Sequence, residues 1–213
     1  MKPIFQNLYQ FTTYIPPMDF TIHEYLLASE PAILFAAGTI QQAKAILPQV
    51  KDILNGKEIK YIFVSHIESD ECGGLPVFLE AYPDVTVICS SLGARELPGF
   101  GYGGKIMAAA QNKPLRDGKL SLRFFDYPAE VHLQNGLLCC DETSGIFYSS
   151  DLMLRVGNAG GKTMHSNWET EVAAIDSQRI PSEDVRRDLQ SALLSIAPKF
   201  IAVGHGYCVE CDA

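Results

Sequence analysis

Long apolar runs are missing from this chain: none approaches the roughly 18 uninterrupted residues that a membrane helix needs. The amino terminus, Met1-Lys2-Pro3-Ile4-Phe5-Gln6-Asn7, lacks the apolar core of a secretory signal. Basic charge is also in short supply. Seventeen Lys and Arg stand against 25 Asp and Glu, giving a formal net charge of −8 and a pI near 5.1. With no basic patch, nucleic acid and anionic membrane surfaces are excluded as partners. Internal repeats sharp enough to define an array are absent. Six cysteines without an export signal suit reduced thiols rather than a disulfide framework. These absences leave a cytoplasmic globular protein as the expectation. With 47% hydrophobic and 20% charged residues over 213 positions, the chain can bury a full core. One domain over residues 1–213 is expected.

What is present is a set of polar residues at the ends of apolar runs. The densest is Val64-Ser65-His66-Ile67-Glu68-Ser69-Asp70-Glu71-Cys72-Gly73-Gly74. It follows Tyr61-Ile62-Phe63-Val64, which reads as a buried strand, and precedes a helical stretch over 75–81. His66, Glu68 and Asp70 alternate, so in an extended segment all three point the same way. One imidazole and two carboxylates converging at a strand end are costly to hold without a cation, and a metal ion is the simplest one. A lone His-x-Glu-x-Asp run is more often a solvated loop. Here, however, His132, Asp151 and His205 each stand beside a further strand-like run. Three His, one Glu and two Asp are suitable donors for two ions in one site. Gly204 and Gly206 flank His205, where a tight turn can bring backbone close to a metal.

In order and type, His66-x-Glu68-x-Asp70 followed by His132, Asp151 and His205 resembles the metallo-β-lactamase-fold domain of flavodiiron proteins. Most hydrolases of that superfamily carry His-x-His-x-Asp-His in the first motif. Glu68 stands where the second His would be, which is the flavodiiron departure; Glu71 replaces the final His and matches neither pattern. The resemblance runs from the first strand to Gly206. It implies an α+β fold, a four-layer αββα sandwich. It also implies His66, Glu68 and His132 on one ion, Asp70 and His205 on the other, and Asp151 bridging both. Glu71 is a further candidate: a ligand, a hydrogen-bond acceptor behind the ligands, or a solvated side chain.

Hard oxygen donors suit two iron ions, with zinc or manganese as alternatives. No flavodoxin domain follows Gly206, so no flavin is expected in this chain, and the likeness is to stand-alone oxygen-binding diiron proteins. The implied activity is binding of dioxygen, as a sensor or carrier. Reduction of dioxygen or nitric oxide, with a separate electron donor, would make the chain an oxidoreductase. A signalling partner and a homodimer are left open. The alternative is a binuclear zinc hydrolase of the same superfamily, in which a bridging hydroxide attacks an ester, thioester or lactam. Glu68 and Glu71 argue against it. A metal-free scaffold is the third reading.

Strands are expected over 5–14, 20–28, 31–38, 61–64, 85–89, 120–125, 129–133, 136–141, 145–149 and 199–206. Helices are expected over 40–54, capped by Thr39, over 75–81, and over 181–197. Strands, then strand–helix alternation, then the same again describe two sheets with helices outside. Residues 155–180 read as a long polar loop.

Weaker signals remain. Gly99-Phe100-Gly101-Tyr102-Gly103-Gly104 satisfies G-x-G-x-x-G but does not follow a strand, so the dinucleotide context fails. Gly157 to Thr163 mimics a phosphate loop with its first glycine one residue late. His23 is a surface or satisfied core histidine. His165, with Trp168, either overhangs the metal pocket or packs within its loop. Cys208-x-x-Cys211 is a redox pair or a frayed tail. Cys72, Cys139 and Cys140 read as small buried hydrophobes.

Overall fold

The computed structural model describes residues 1–111, 113–128 and 136–212. A hairpin opens it, β1 (Leu8–Ile15) and β2 (Phe20–Leu27), joined by a single turn of 3-10 helix over Pro16–Met18. There follow β3 (Ala32–Phe35), α1 (Ile40–Leu54), β4 (Ile59–Phe63), α2 (Ser69–Cys72), α3 (Leu75–Ala81), β5 (Thr86–Ser90), α4 (Ser91–Gly99) and β6 (Lys105–Ala109). The second half holds β7 (Leu115–Asp117), β8 (Leu120–Tyr127), β9 (Gly136–Asp141), β10 (Ile146–Ser150), β11 (Thr163–Ser166), α5 (Trp168–Ala173), α6 (Glu183–Leu193), β12 (Phe200–Val203) and β13 (Cys208–Cys211). One sheet has the order β1-β2-β3-β4-β5-β6 and the other β11-β13-β12-β10-β9-β8-β7.

Alternation along the strands creates the layers. In β3, Ile33 and Phe35 join the core between the sheets, while Ala32 and Leu34 face the helices α1 and α3. In β4, Tyr61 and Phe63 point inward and Ile62 outward. Strands buried on both faces must be apolar throughout, which is why these runs are continuous. Between the sheets, Phe63 stacks on Phe124 with ring centroids 6.1 Å apart, and Tyr148 meets Tyr25, Phe35 and Phe63 at 6.1, 5.5 and 6.0 Å. On the far face of the second sheet, Phe147 packs against Trp168 of α5 at 5.1 Å. Helices, sheet, sheet, helices: the fold is the four-layer αββα sandwich of the metallo-β-lactamase type.

Strands β3, β4, β5 and β6 run parallel, as do β10 and β12. Parallel strands place their carboxyl ends, and the loops that follow them, along one edge. Two backbone bonds cross between the sheets near that edge: Leu137 N–H donates to Ser65 O at 2.9 Å, and His23 N–H to Gly204 O at 2.9 Å.

Several local expectations are corrected. Residues 155–180 are not one loop; they contain β11 and α5, a helix of six residues too short to print a period. The stretch before β6, for which the sequence set no expectation, is a helix, α4, whose Ser90 cap accepts from Gly93 N–H at 3.0 Å. The His66–Asp70 segment is not extended: residues 65–68 bend and Asp70 lies in the first turn of α2. Cys208 and Cys211 lie in β13, and residues three apart on a strand face opposite sides roughly 10 Å apart, beyond disulfide reach. The strand expected over 129–133, with His132 in it, lies outside the described residues.

Candidate metal centre

Three strand ends deliver the donors. His66 and Glu68 follow β4, Asp151 follows β10, and His205 follows β12. His66 Nε2 stands 3.6 Å from Glu68 Oε2 and 3.7 Å from Asp151 Oδ2. His205 Nε2 stands 2.9 Å from Asp151 Oδ1 and 3.6 Å from Asp70 Oδ2. His66, Glu68 and Asp151 offer one donor atom each, all within 4.8 Å of one another. Asp151 therefore shows one carboxylate oxygen to each histidine. Its placement begins one residue earlier: Ser150 has a positive φ of 46°, and β10 changes register against β12 between Tyr148 and Ser150. Left-handed backbone at a non-glycine residue is a strain held by its surroundings, and here it turns the chain so that Asp151 enters the gap.

Each imidazole is oriented from behind. His205 Nδ1 donates to Thr21 O at 2.9 Å, a carbonyl that can only accept, so Nε2 is the nitrogen that faces the carboxylates. Phe20 stacks on the same ring at 4.4 Å. His66 Nδ1 lies 3.4 Å from Ser150 Oγ, which donates to Glu71 Oε1 at 2.9 Å. Glu71 is almost wholly buried. It also accepts from Tyr148 Oη at 2.6 Å and from Ser65 N–H at 3.1 Å. Of the three roles open to it in the sequence, the geometry gives it that of acceptor behind the ligands.

The donor set fits two metal ions. Donors held at about 2.1 Å and at right angles on one ion stand roughly 3.0 Å apart, and wider angles give the longer separations seen here. Without a cation, three carboxylates meeting two imidazole nitrogens would be unfavourable. His205 shows that pressure: burial alone would push its imidazole down, yet the bond to Asp151 and the charges of Asp151 and Asp70 raise it overall. His66, Glu68 and Asp151 would hold one ion; Asp70, Asp151 and His205 would hold the other.

Other sequence candidates fall elsewhere. His165 is on β11, 3.6 Å from Asp212, in a cleft with Phe5, Trp168 and Cys211 that contains none of these donors. His23 is a satisfied core histidine. Sequence reasoning missed Thr21, Ser150 and Tyr148. The polar alternation Thr21, His23, Tyr25 on an otherwise apolar β2 was the available signal for the first.

Comparison with known proteins bears on the fold and the family. Rubredoxin-oxygen oxidoreductase of Megalodesulfovibrio gigas is 26% identical over 114 residues, 53% of this chain and 28% of that protein. Putative diflavin flavoprotein A 2 of Thermosynechococcus vestitus is 27% identical over 134 residues, 62% of this chain and 23% of that protein. The chain thus spans about a quarter of the length of these curated relatives. Among solved structures, rubredoxin oxygen:oxidoreductase from Desulfovibrio gigas superposes with a TM-score of 0.79 at 20% identity, covering 99% of this chain and 57% of that one. The flavodiiron protein of Giardia intestinalis gives 0.77 at 15% identity, covering 97% and 54%. A fragment of putative diflavin flavoprotein A 5 from Nostoc sp. gives 0.77 at 18%, covering 98% and 89%. The family profile described as "ODP family beta lactamase" matches residues 20–206, and the chain belongs to that family.

Proposed function

We propose that this chain is a non-haem diiron protein acting on dioxygen or nitric oxide, with electrons for any turnover supplied by a separate donor. The observation that carries the reading is Asp151, one oxygen turned to His66 and the other to His205. The names of the relatives, an oxygen oxidoreductase and flavodiiron proteins, support iron and a diatomic substrate. So does Glu68, a hard donor that favours iron over zinc. When bound, the iron pair would supply redox chemistry and a place for a small ligand. The chain's own residues do the rest. Thr21 and Ser150 hold the two imidazoles with Nε2 inward, and Phe20 covers the outer face of His205. Glu71, engaged by Tyr148, Ser150 and Ser65, would stay off the ions.

His132 is proposed as the further ligand of the first ion on sequence grounds. The four layers support one domain over 1–213. Among the described residues no helix is long and apolar enough to cross a membrane. A cytoplasmic location is proposed with the same reading.

The test is metal analysis after anaerobic, iron-replete expression. Two irons per chain are expected in the wild type, and Asp151→Ala should lose both together. Retention of one full equivalent in that variant would overturn the bridging role.

A further inference from the structure

We propose that His23 is a positioning residue for the second ion: its imidazole holds the Gly206 carbonyl and so fixes the turn that presents His205. The inference rests on the metal-centre reading above. A turn with a glycine on either side of its ligand has little stiffness of its own. Gly206 has φ +89°, a region that side chains avoid, and a Cβ there would lie 2.4 Å from Arg155 O. The turn must therefore be held from outside. On one side Arg155 N–H donates to His205 O at 3.0 Å. On the other side β2 supplies the restraint, and four bonds run from it to the turn. His23 N–H meets Gly204 O at 2.9 Å, Gly206 N–H meets Thr21 Oγ1 at 3.0 Å, His205 Nδ1 meets Thr21 O at 2.9 Å, and His23 Nε2 meets Gly206 O at 2.8 Å.

The last bond needs a histidine. Gly206 O can only accept, so Nε2 carries the proton; Nδ1 is then an acceptor, and Thr12 Oγ1 donates to it at 2.8 Å. The ring spans β1 and the turn as a rigid, neutral spacer with a donor on one edge and an acceptor on the other. Burial favours that neutral form, pushing the imidazole down to about 4. An apolar residue of similar size would leave the buried carbonyl short of a donor, and such a group costs more than the bond it loses.

The experiment titrates metal-free protein anaerobically with cobalt(II), followed by its visible ligand-field bands, with circular dichroism as the check on folding. The wild type should take two equivalents. His23→Leu should keep the first and bind the second roughly tenfold more weakly; His23→Gln, which restores an N–H donor, should recover most of the loss. Thr12→Val, which frees the ring to turn, should weaken the second equivalent partly. Two equivalents bound by His23→Leu as tightly as by the wild type would overturn the inference while leaving the metal centre intact. Gln behaving like Leu would overturn it too. If His23→Leu does not fold, Thr12→Val decides, and an unchanged second equivalent overturns it. A wild type that takes fewer than two equivalents sinks the metal-centre reading and this inference with it.

Discussion

Single residues carry most of what distinguishes this chain within its fold. The candidate donors could be found in the sequence because imidazoles and carboxylates recur at the ends of several apolar runs, not at one alone. The role of Glu71 could not, because its partners Tyr148 and Ser150 are 77 and 79 positions away. Glu24 was overlooked for a similar reason: it sits in an apolar strand and nothing local marks it. Its carboxyl is fully buried against Gly38, where a Cβ would come within 2.5 Å of Oε1. Burial above all, helped by the charges of Asp70 and Glu71, raises it from 4.5 to about 8. The folded protein then keeps a proton that the unfolded chain releases. Its contribution is complete below pH 4.5 and is lost as pH rises towards 8. His23 works in the opposite direction, since the unfolded chain binds a proton near 6.5 and the folded one only near 4; its contribution is lost as pH falls through that window. The two oppose each other between pH 4.5 and 6.5. Above 6.5 only the decline remains, shared with His205, which is also raised from 6.5. The urea midpoint of metal-free protein should therefore fall between pH 6.5 and 8, and Glu24→Gln should make that fall shallower. An unchanged slope in the variant would refute the assignment.

Among the elements, α1 shows what a sequence displays well. Its apolar stripe Ala43, Ile46, Val50 and Leu54 has helical spacing and is buried. Its first turn closes as a reciprocal box, with Gln42 N–H donating to Thr39 Oγ1 at 3.3 Å and Thr39 N–H to Gln42 Oε1 at 2.8 Å. Both orphan donors are met, so Thr39→Ala should cost about 1 kcal/mol of stability in denaturant unfolding, with metal content unaltered. A loss of metal in that variant would show that the cap also shapes the neighbouring Gly73–Gly74 loop, whose Gly74 N–H donates to Gly38 O at 2.6 Å. By contrast, β11 and α5 left little trace in the sequence. Thr163–Ser166 is mostly polar because it is an edge strand, paired among the described residues with β13 alone. Trp168 anchors α5 through Nε1–H to Leu193 O at 3.0 Å, a contact 25 residues distant. Elements stabilised by remote partners rather than by their own periodicity escape a local reading.

For the whole molecule, the fold and the gathering of His66, Glu68, Asp70, Asp151 and His205 at one edge were legible together because two sheets with strand-end donors form a recurring pattern; the shape of the site was not, since bends and a helical turn, rather than an extended strand, aim Glu68 and Asp70. The same architecture also serves zinc hydrolases, which makes a negative prediction useful. With Glu71 tied to Tyr148, Ser150 and Ser65 and Glu68 in place of an imidazole, zinc-loaded protein should not hydrolyse lactams or thioesters at ordinary enzyme rates of about 1 per second or more. Turnover of that order would favour the hydrolase. The division of donors between the two sheets has a further consequence. His66, Glu68 and Asp70 belong to the first half of the chain, Asp151 and His205 to the second, and in the proposed centre the aspartate between the histidines would serve both ions. In that reading neither half alone would offer a complete donor set for both ions, so full capture would require the sandwich to have closed. The metal pair would then act as a clasp fastened last, and a nascent chain would pass through synthesis without a complete cage for two ions.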